Sequence, residues 1–294
     1  MPSIKTILLT GATGFLGSHL LEALLKQHYK VVILKRSTSN AWRIDHLLDQ
    51  VISYDVDTQP LEMAFEQQRV DAVIHTACQY GRNGESLCQM VESNLMFGVR
   101  LLEAGIRFNS DTFFNTDTLL QKHLNAYTLS KKHLVEWLQQ QSDKIQVVNL
   151  KLEHMYGTKD DTTKFVPWVI SQLKSNAPEI KLTLGEQQRD FIYIDDVVSA
   201  YLLALEKSSS LTNFNEFDVG TGELITVRSF LEKLKQRYDT DCKQTTTKLA
   251  FGAIPYREGE MMRVEVNNKS LLVLGWKPAI SLDKGFNFIL EELV

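Results

Sequence analysis

The sequence predicts an α/β fold, a doubly wound parallel sheet with a smaller interwoven α/β lobe. Three observations carry that reading. Short apolar runs rich in β-branched residues alternate with helically spaced segments, a glycine-rich turn joins the first run to the first helix, and beyond Tyr156-Gly157 the elements shorten without a repeat or a low-complexity linker. With 294 residues, 44% of them hydrophobic, the chain is long enough to bury a sizeable core.

The elements follow in order. Residues 4–10 form a short apolar run that suits a strand buried on both faces and ends at Gly11. Leu16, Leu20, Leu21, Leu24 and Leu25 repeat with helical spacing across residues 15–27. Residues 31–34 and 51–56 are the second and third strands, residues 61–68 a helix, and residues 70–76 the fourth strand. A helix over 90–104, a strand at 112–115, a helix over 126–140 and a strand at 146–151 continue the alternation. Further on, residues 191–194 and 216–219 are short strands, and 227–238 and 282–293 are helices. The division expected is a dinucleotide-binding domain over residues 1–153, with strands returning near 191–220, and mainly a substrate lobe over 154–294.

Composition removes several classes of function. A net charge of -4 with 23% charged residues gives no electrostatic reason for a nucleic-acid or membrane-surface partner. Cys78, Cys88 and Cys242 form neither a disulfide framework nor a metal-ligand spacing, so a reducing compartment and no metal are expected. No leader pattern or membrane-length apolar run occurs near the start, which makes the cytoplasm the expected location.

Thr10-Gly11-Ala12-Thr13-Gly14-Phe15-Leu16-Gly17 lies between the first strand and the first helix. Glycines there let the backbone turn tightly and approach a pyrophosphate, whose charge a helix N-terminus favours. The second strand then ends in Lys35-Arg36, with no carboxylate before Asp45. Two cations at that position suit a ribose 2′-phosphate and point to NADPH, whereas an acid there would suit NAD; a solvated basic turn is the alternative. Asp55-Val56, after the third strand, is placed to hold the adenine edge.

Tyr127 and Lys131 stand four residues apart on a predicted helix, so they share a face. A cation beside a phenol favours the phenolate, and Lys131 is expected to make Tyr127 usable as an acid or base near neutrality. Asn115-Thr116-Asp117-Thr118 ends the strand before that helix, where active sites of open α/β sheets form. A hydroxyl at Thr116 can point at a reacting carbonyl there, or simply close a turn.

Together with His75-Thr76-Ala77, Glu92-Ser93-Asn94-Leu95 and the run from Arg189 through Asp190-Phe191-Ile192-Tyr193-Ile194-Asp195-Asp196 to Val197, these motifs resemble the extended short-chain dehydrogenase/reductases, the nucleotide-sugar epimerase/dehydratase superfamily with its Rossmann-type fold. The resemblance implies that Tyr127 is the catalytic acid/base, that Lys131 holds the nicotinamide ribose, and that Thr116 bonds the substrate oxygen. It also implies that His75, Thr76, Ala77 and Cys78 line the cofactor, that Asn94 sits near its nicotinamide half, and that Arg189 and Arg257 grip the nucleotide-sugar diphosphate. A guanidinium suits that task because it bonds two phosphate oxygens at once. A homodimer built on the helices over 90–104 and 126–140 is implied as well.

Two departures narrow the reaction. Thr118 stands where sugar 4,6-dehydratases keep a Glu, so elimination of water lacks its base. Only ten residues separate Thr116 from Tyr127, and Leu119-Leu120-Gln121 replaces the usual Val-Tyr-Gly. A narrower resemblance, to the enzymes that make CDP-abequose and CDP-paratose, rests on the run from Leu150 to Gly157, on Gly185-Glu186-Gln187-Gln188-Arg189, and on Phe251-Gly252-Ala253-Ile254. Those enzymes use NADPH to reduce the 4-keto group of CDP-4-keto-3,6-dideoxy-D-glucose for O-antigen assembly. The resemblance adds Tyr80, Arg82, Asp117, Glu153, His154, Phe165 and Val166 to the substrate-binding set. The expected function is therefore an NADPH-dependent 4-ketoreductase acting on a CDP-hexose. A 4-epimerase holding NAD and a non-catalytic NADPH-binding regulator are the alternatives.

Overall fold

The computed structural model describes residues 4–82 and 84–291. Its strands are β1 Thr6–Thr10, β2 Lys30–Lys35, β3 Ile52–Asp55, β4 Ala72–His75, β5 Thr112–Thr118, β6 Gln146–Leu152, β7 His154–Tyr156, β8 Glu179–Leu182, β9 Gln188–Arg189, β10 Phe191–Tyr193, β11 Phe214–Val219, β12 Ile225–Thr226 and β13 Lys248–Phe251. Its α-helices are α1 Phe15–Lys26, α2 Glu62–Gln67, α3 Leu87–Val91, α4 Phe97–Arg107, α5 Ala126–Gln140, α6 Phe165–Lys174, α7 Ile194–Glu206, α8 Val227–Asp241, α9 Lys269–Leu274 and α10 Leu282–Glu291. The last two residues of the helix expected over 282–293 lie outside the described residues.

Seven strands form one sheet in the order β11-β6-β5-β4-β1-β2-β3, and the pairings from β6 through to β3 are parallel. The reason is visible in the strands: all five residues of β1 and all four of β4 are buried, as both-sided packing requires. Strand order reverses between β1 and β4, which puts the carboxyl ends of those two strands, Thr10 and His75, side by side at a switch point. On one face, Phe113, Val73 and Val147 pack with Leu101 and Leu102 of α4 and Leu134 and Leu138 of α5.

The chain divides into two compact units, one running to Leu152 and taking up Val198–Asp218, the other comprising Glu153–Val197 and the residues from Val219 onward. The second unit pairs β7 with β10 and β8 with β13 in parallel, and β9 with β12 antiparallel. Its core is aromatic. Phe191 stacks on Phe230 at 3.8 Å, and Tyr156 meets Phe230 edge-on at 5.7 Å. Gly285 lets α10 approach, since a Cβ there would lie 2.2 Å from the Tyr156 hydroxyl.

Two elements depart from their expected form: the strand expected over 191–194 ends at Tyr193, where Ile194 begins α7, and the helix over 90–104 is interrupted. The helix foreseen over 90–104 is α3, a π-helical turn over Glu92–Met96, then α4. A π turn widens the helix by one residue per hydrogen-bonded ring and recurs at functional sites. Here it carries Asn94.

Candidate active site

The glycine loop is shaped by contact with the end of β4. Gly11 has φ +71°, and a Cβ on it would lie 2.6 Å from Thr76 Oγ1 and 2.7 Å from the Ala77 nitrogen. A Cβ on Gly17 would fall 2.0 Å from the Gly11 carbonyl oxygen. Gly14 caps α1 without a side-chain bond, and no acid occupies the first turn, so the leading N–H groups of α1 are left for an anion. The loop therefore fits a dinucleotide pyrophosphate. Thr13 and Phe15 are half-buried, while Leu16 and Gly17 are buried beneath the turn.

Thr76 donates its hydroxyl to the Thr10 carbonyl at 2.8 Å, and Thr10 Oγ1 lies 2.7 Å from His75 Nδ1. Burial first, then the nearby Lys131, lowers His75 to about 3, so its imidazole is neutral. At the end of β2, Lys35 stands in register with Asp55, and Arg36 is exposed. The Asp55 carboxylate accepts from Ser37 Oγ at 2.7 Å and from the Asp57 N–H at 3.0 Å; these bonds hold its carboxyl below the usual range. The Val56 N–H donates to the Lys35 carbonyl at 3.0 Å. Sequence reasoning missed Arg43, whose Nη1 donates to the Thr13 carbonyl at 3.3 Å and whose guanidinium lies 4.5 Å from the Trp42 ring centre. The signal available was a third cation soon after Lys35-Arg36, paired with an aromatic neighbour.

α5 starts at a capping box in which Asn125 Oδ1 accepts from the Thr128 N–H at 2.9 Å and Thr128 Oγ1 accepts from the Asn125 N–H at 3.1 Å. That cap fixes the first two turns, which carry Tyr127 and Lys131. Burial pushes the Tyr127 phenol well above its usual range, with Cys78, Tyr80 and Asp117 adding to the rise, while Arg82 draws it back. This corrects the expectation that Lys131 lowers the phenol. Lys131 is 1% exposed and is itself held below its usual range by burial, and it is not among the groups that shift the phenol.

Asn94, fully buried, ties the loop after β4 to α5. Its Oδ1 accepts from the Gln79 N–H at 2.7 Å, and its Nδ2 donates to the Gln79 carbonyl at 2.8 Å and to Ser130 Oγ at 3.1 Å. Ser130 Oγ in turn donates to the Tyr127 carbonyl at 2.8 Å. The Asn94 amide is thus spent within the protein. The loop it fastens lays the Tyr80 ring 5.0 Å from the Tyr127 ring, with the Arg82 guanidinium 5.6 Å from the Tyr80 ring centre.

The end of β5 sends its side chains to opposite faces, as strand geometry demands. Thr116 Oγ1 lies 2.7 Å from the buried Tyr201 hydroxyl. Asp117 shares a face with Phe113 and Asn115 and pairs with Lys132 at 2.6 Å; its other oxygen, Oδ1, has no protein partner. Thr118 Oγ1 accepts from the Leu120 N–H at 3.2 Å, so this hydroxyl closes a turn where a dehydratase would carry its carboxylate. Lys132 was missed by the sequence reading; the only hint was the doubled lysine at the end of the Tyr-x-x-x-Lys spacing.

In the second unit, Arg189 is buried between two carboxylates: Nη2 is 2.7 Å from Glu260 Oε1, and Nε is 4.0 Å from Glu153 Oε1. Glu153 also holds His154 Nδ1 and, at 3.2 Å, the Asp190 N–H. Glu260 had no motif to announce it. Arg257 is exposed, as is Phe165, which opens α6 with its ring 6.4 Å from Trp168, while Val166 is buried. Among the described residues no cluster of three or more His, Cys, Asp or Glu could hold a metal ion, and no helix is long and apolar enough to cross a membrane.

The family model described as NAD dependent epimerase/dehydratase matches residues 7–220. A CDP-abequose synthase of Salmonella typhimurium is 35% identical, with 98% of each chain covered, and one of Salmonella muenchen is 33% identical over 98% of this chain and 97% of its own. Among solved structures, a UDP-glucose 4-epimerase of Thermotoga maritima superposes with a TM-score of 0.83 at 23% identity, covering 98% of both chains.

Proposed function

We propose that this chain, which belongs to the NAD dependent epimerase/dehydratase family, is an NADPH-dependent reductase of CDP-4-keto-3,6-dideoxy-D-glucose. Its product would be CDP-abequose or the C4 epimer CDP-paratose, a precursor for O-antigen. The observation that carries this reading is the end-to-end similarity to CDP-abequose synthases, with both chains matched over almost their whole length. The paired cations Lys35 and Arg36, joined by Arg43 at the glycine loop, support NADPH over NAD.

NADPH supplies a hydride to C4 when bound. The residues of this chain would hold it by the first-turn N–H groups of α1, by Lys35 and Arg36 at its 2′-phosphate, and by Lys131 at its ribose. Tyr127 is half-buried, and the desolvation of its hydroxyl keeps the proton on; it would donate that proton to the C4 oxygen as negative charge develops there. Thr116 Oγ1 and the buried Tyr201 hydroxyl share a 2.7 Å hydrogen bond in which either can donate; with Tyr201 as the donor, the threonine proton would be free to bond the same C4 oxygen. The exposed Arg257 would hold the diphosphate, joined by Arg189 if its guanidinium exchanges Glu260 for phosphate oxygens. Exposed Trp137 on α5 and Met96 just before α4 support a homodimer built on these helices.

The test is NADPH consumption on adding CDP-4-keto-3,6-dideoxy-D-glucose. Wild type should consume it stoichiometrically, and Tyr127→Phe should lower kcat by about 10²–10⁴-fold while still binding NADPH. A purified protein that carries stoichiometric NAD and consumes no NADPH would instead be an epimerase.

A further inference from the structure

Arg82 enters the sequence reading only as a substrate-binding residue. Its surroundings give it a second task. The Tyr80 and Tyr127 rings meet at 5.0 Å with an interplanar angle of 35°, within the range of aromatic pairs. The Arg82 guanidinium stands 5.6 Å from the Tyr80 ring centre, within cation–π reach. Between them Gly81 has φ +70°, and a Cβ there would meet Met90 Sδ at 3.1 Å. The turn that sets the tyrosine and the arginine on either side of it is therefore built for glycine. Asn94 clamps Gln79, just upstream, to the same turn of α5 that carries Tyr127.

We propose that Arg82 is a positioning residue for Tyr127, carrying a positive charge to the phenol through the ring of Tyr80. This rests on Tyr127 being the proton donor of the reaction above. The other groups facing the phenol are Cys78 and Tyr80 from the same loop and Asp117 from β5, and all three oppose its ionisation; Lys131 lies one turn along α5. On the elements packed against α5, Glu92 is paired with Arg100, and Glu103 and Arg107 are exposed. Lys132, on the same helix, is tied to Asp117 at 2.6 Å, and of the groups acting on the phenol Arg82 is the one that favours its ionisation. A desolvated phenol with no such cation would hold its proton too tightly to give it up fast. The arginine moderates that hold.

The test reads the phenol directly and needs no substrate. A fluorinated tyrosine in place of Tyr127 ionises at lower pH, and its fluorine NMR signal reports the midpoint. Arg82→Gln should raise that midpoint by about half a pH unit. Arg82→Glu should raise it further, and Arg82→Lys, which keeps the charge, should leave it near wild type. A midpoint that stays put in both the Gln and Glu variants overturns the proposal, as does a Lys variant that shifts as far as Gln. Failure of the proton-donor reading looks different: Tyr127→Phe would then turn over 4-keto sugar at the wild-type rate, whatever the titration does.

Discussion

Arg36 and Lys35 bear on the choice of cofactor, and a charge swap is the direct way to question them. Replacing both by Asp puts carboxylates where a ribose 2′-hydroxyl, and not a phosphate, would be welcome. The double variant should show a KM for NADPH raised at least about tenfold and gain relative use of NADH, as initial-rate kinetics with both cofactors would report. Most of the candidate residues at this scale were legible because their signals are local. The Tyr127–Lys131 spacing, the glycine string and the Lys35-Arg36 doublet each sit within one turn or loop. What stayed hidden depends on contacts far apart in the chain. Tyr80 meets Tyr127 across 47 positions, Thr116 finds Tyr201 across 85, and Arg189 finds Glu260 across 71. Nor could spacing reveal that burial, rather than a neighbouring lysine, dominates the Tyr127 proton.

Helix α5 keeps its place through close packing against α4. A Cβ on Gly98 would lie 2.5 Å and 2.8 Å from the two methyls of Leu134. Gly98→Ala should therefore cost about 1–3 kcal/mol, read as a fall in the denaturant midpoint, with the slope unchanged. At this scale the strands of the main sheet and helices α1, α5, α8 and α10 followed from period and length. The π turn did not, because an apolar period runs through Met90–Ala104 whether or not one residue bulges. Helix α7 was overlooked for another reason: its first residues, Ile194-Asp195-Asp196-Val197-Val198, follow β10 without a break and look like its continuation. The two acids in its first turn are the helical signal, and Asp196 also accepts the Ala279 and Ile280 N–H groups at 2.9 Å each. Strands β9 and β12 have two residues each, too few for any period to register.

For the whole molecule, acid stability turns on His75. Its folded pKa of about 3 lies below the ordinary value of 6.5, so the unfolded chain takes up a proton first as pH falls. Stability is then intact above about pH 6.5 and drains away between 6.5 and 3, by about 2 kcal/mol at pH 5 from this group. His75→Gln should flatten that acid limb in urea melts run across this window. The architecture itself was readable at this scale: alternating strands and helices foretold a parallel, doubly wound sheet, and the seven-stranded order contains it. A return of the chain is expected near residues 191–220; Val198–Asp218 belongs to the first unit with β11 beside β6, while β10 pairs with β7 in the second, a choice between sheets that no local pattern encodes.

Hydride transfer into a CDP-linked 4-keto sugar is the claim on which the rest depends. The measurement is turnover of CDP-4-keto-3,6-dideoxy-D-glucose with NADPH deuterated at nicotinamide C4, on either face, followed by NMR of the sugar. One deuterium at C4 of a CDP-3,6-dideoxyhexose, from one face of the cofactor only and matched by NADP formed, is the expected result. Unlabelled sugar with the NADPH unconsumed would contradict it.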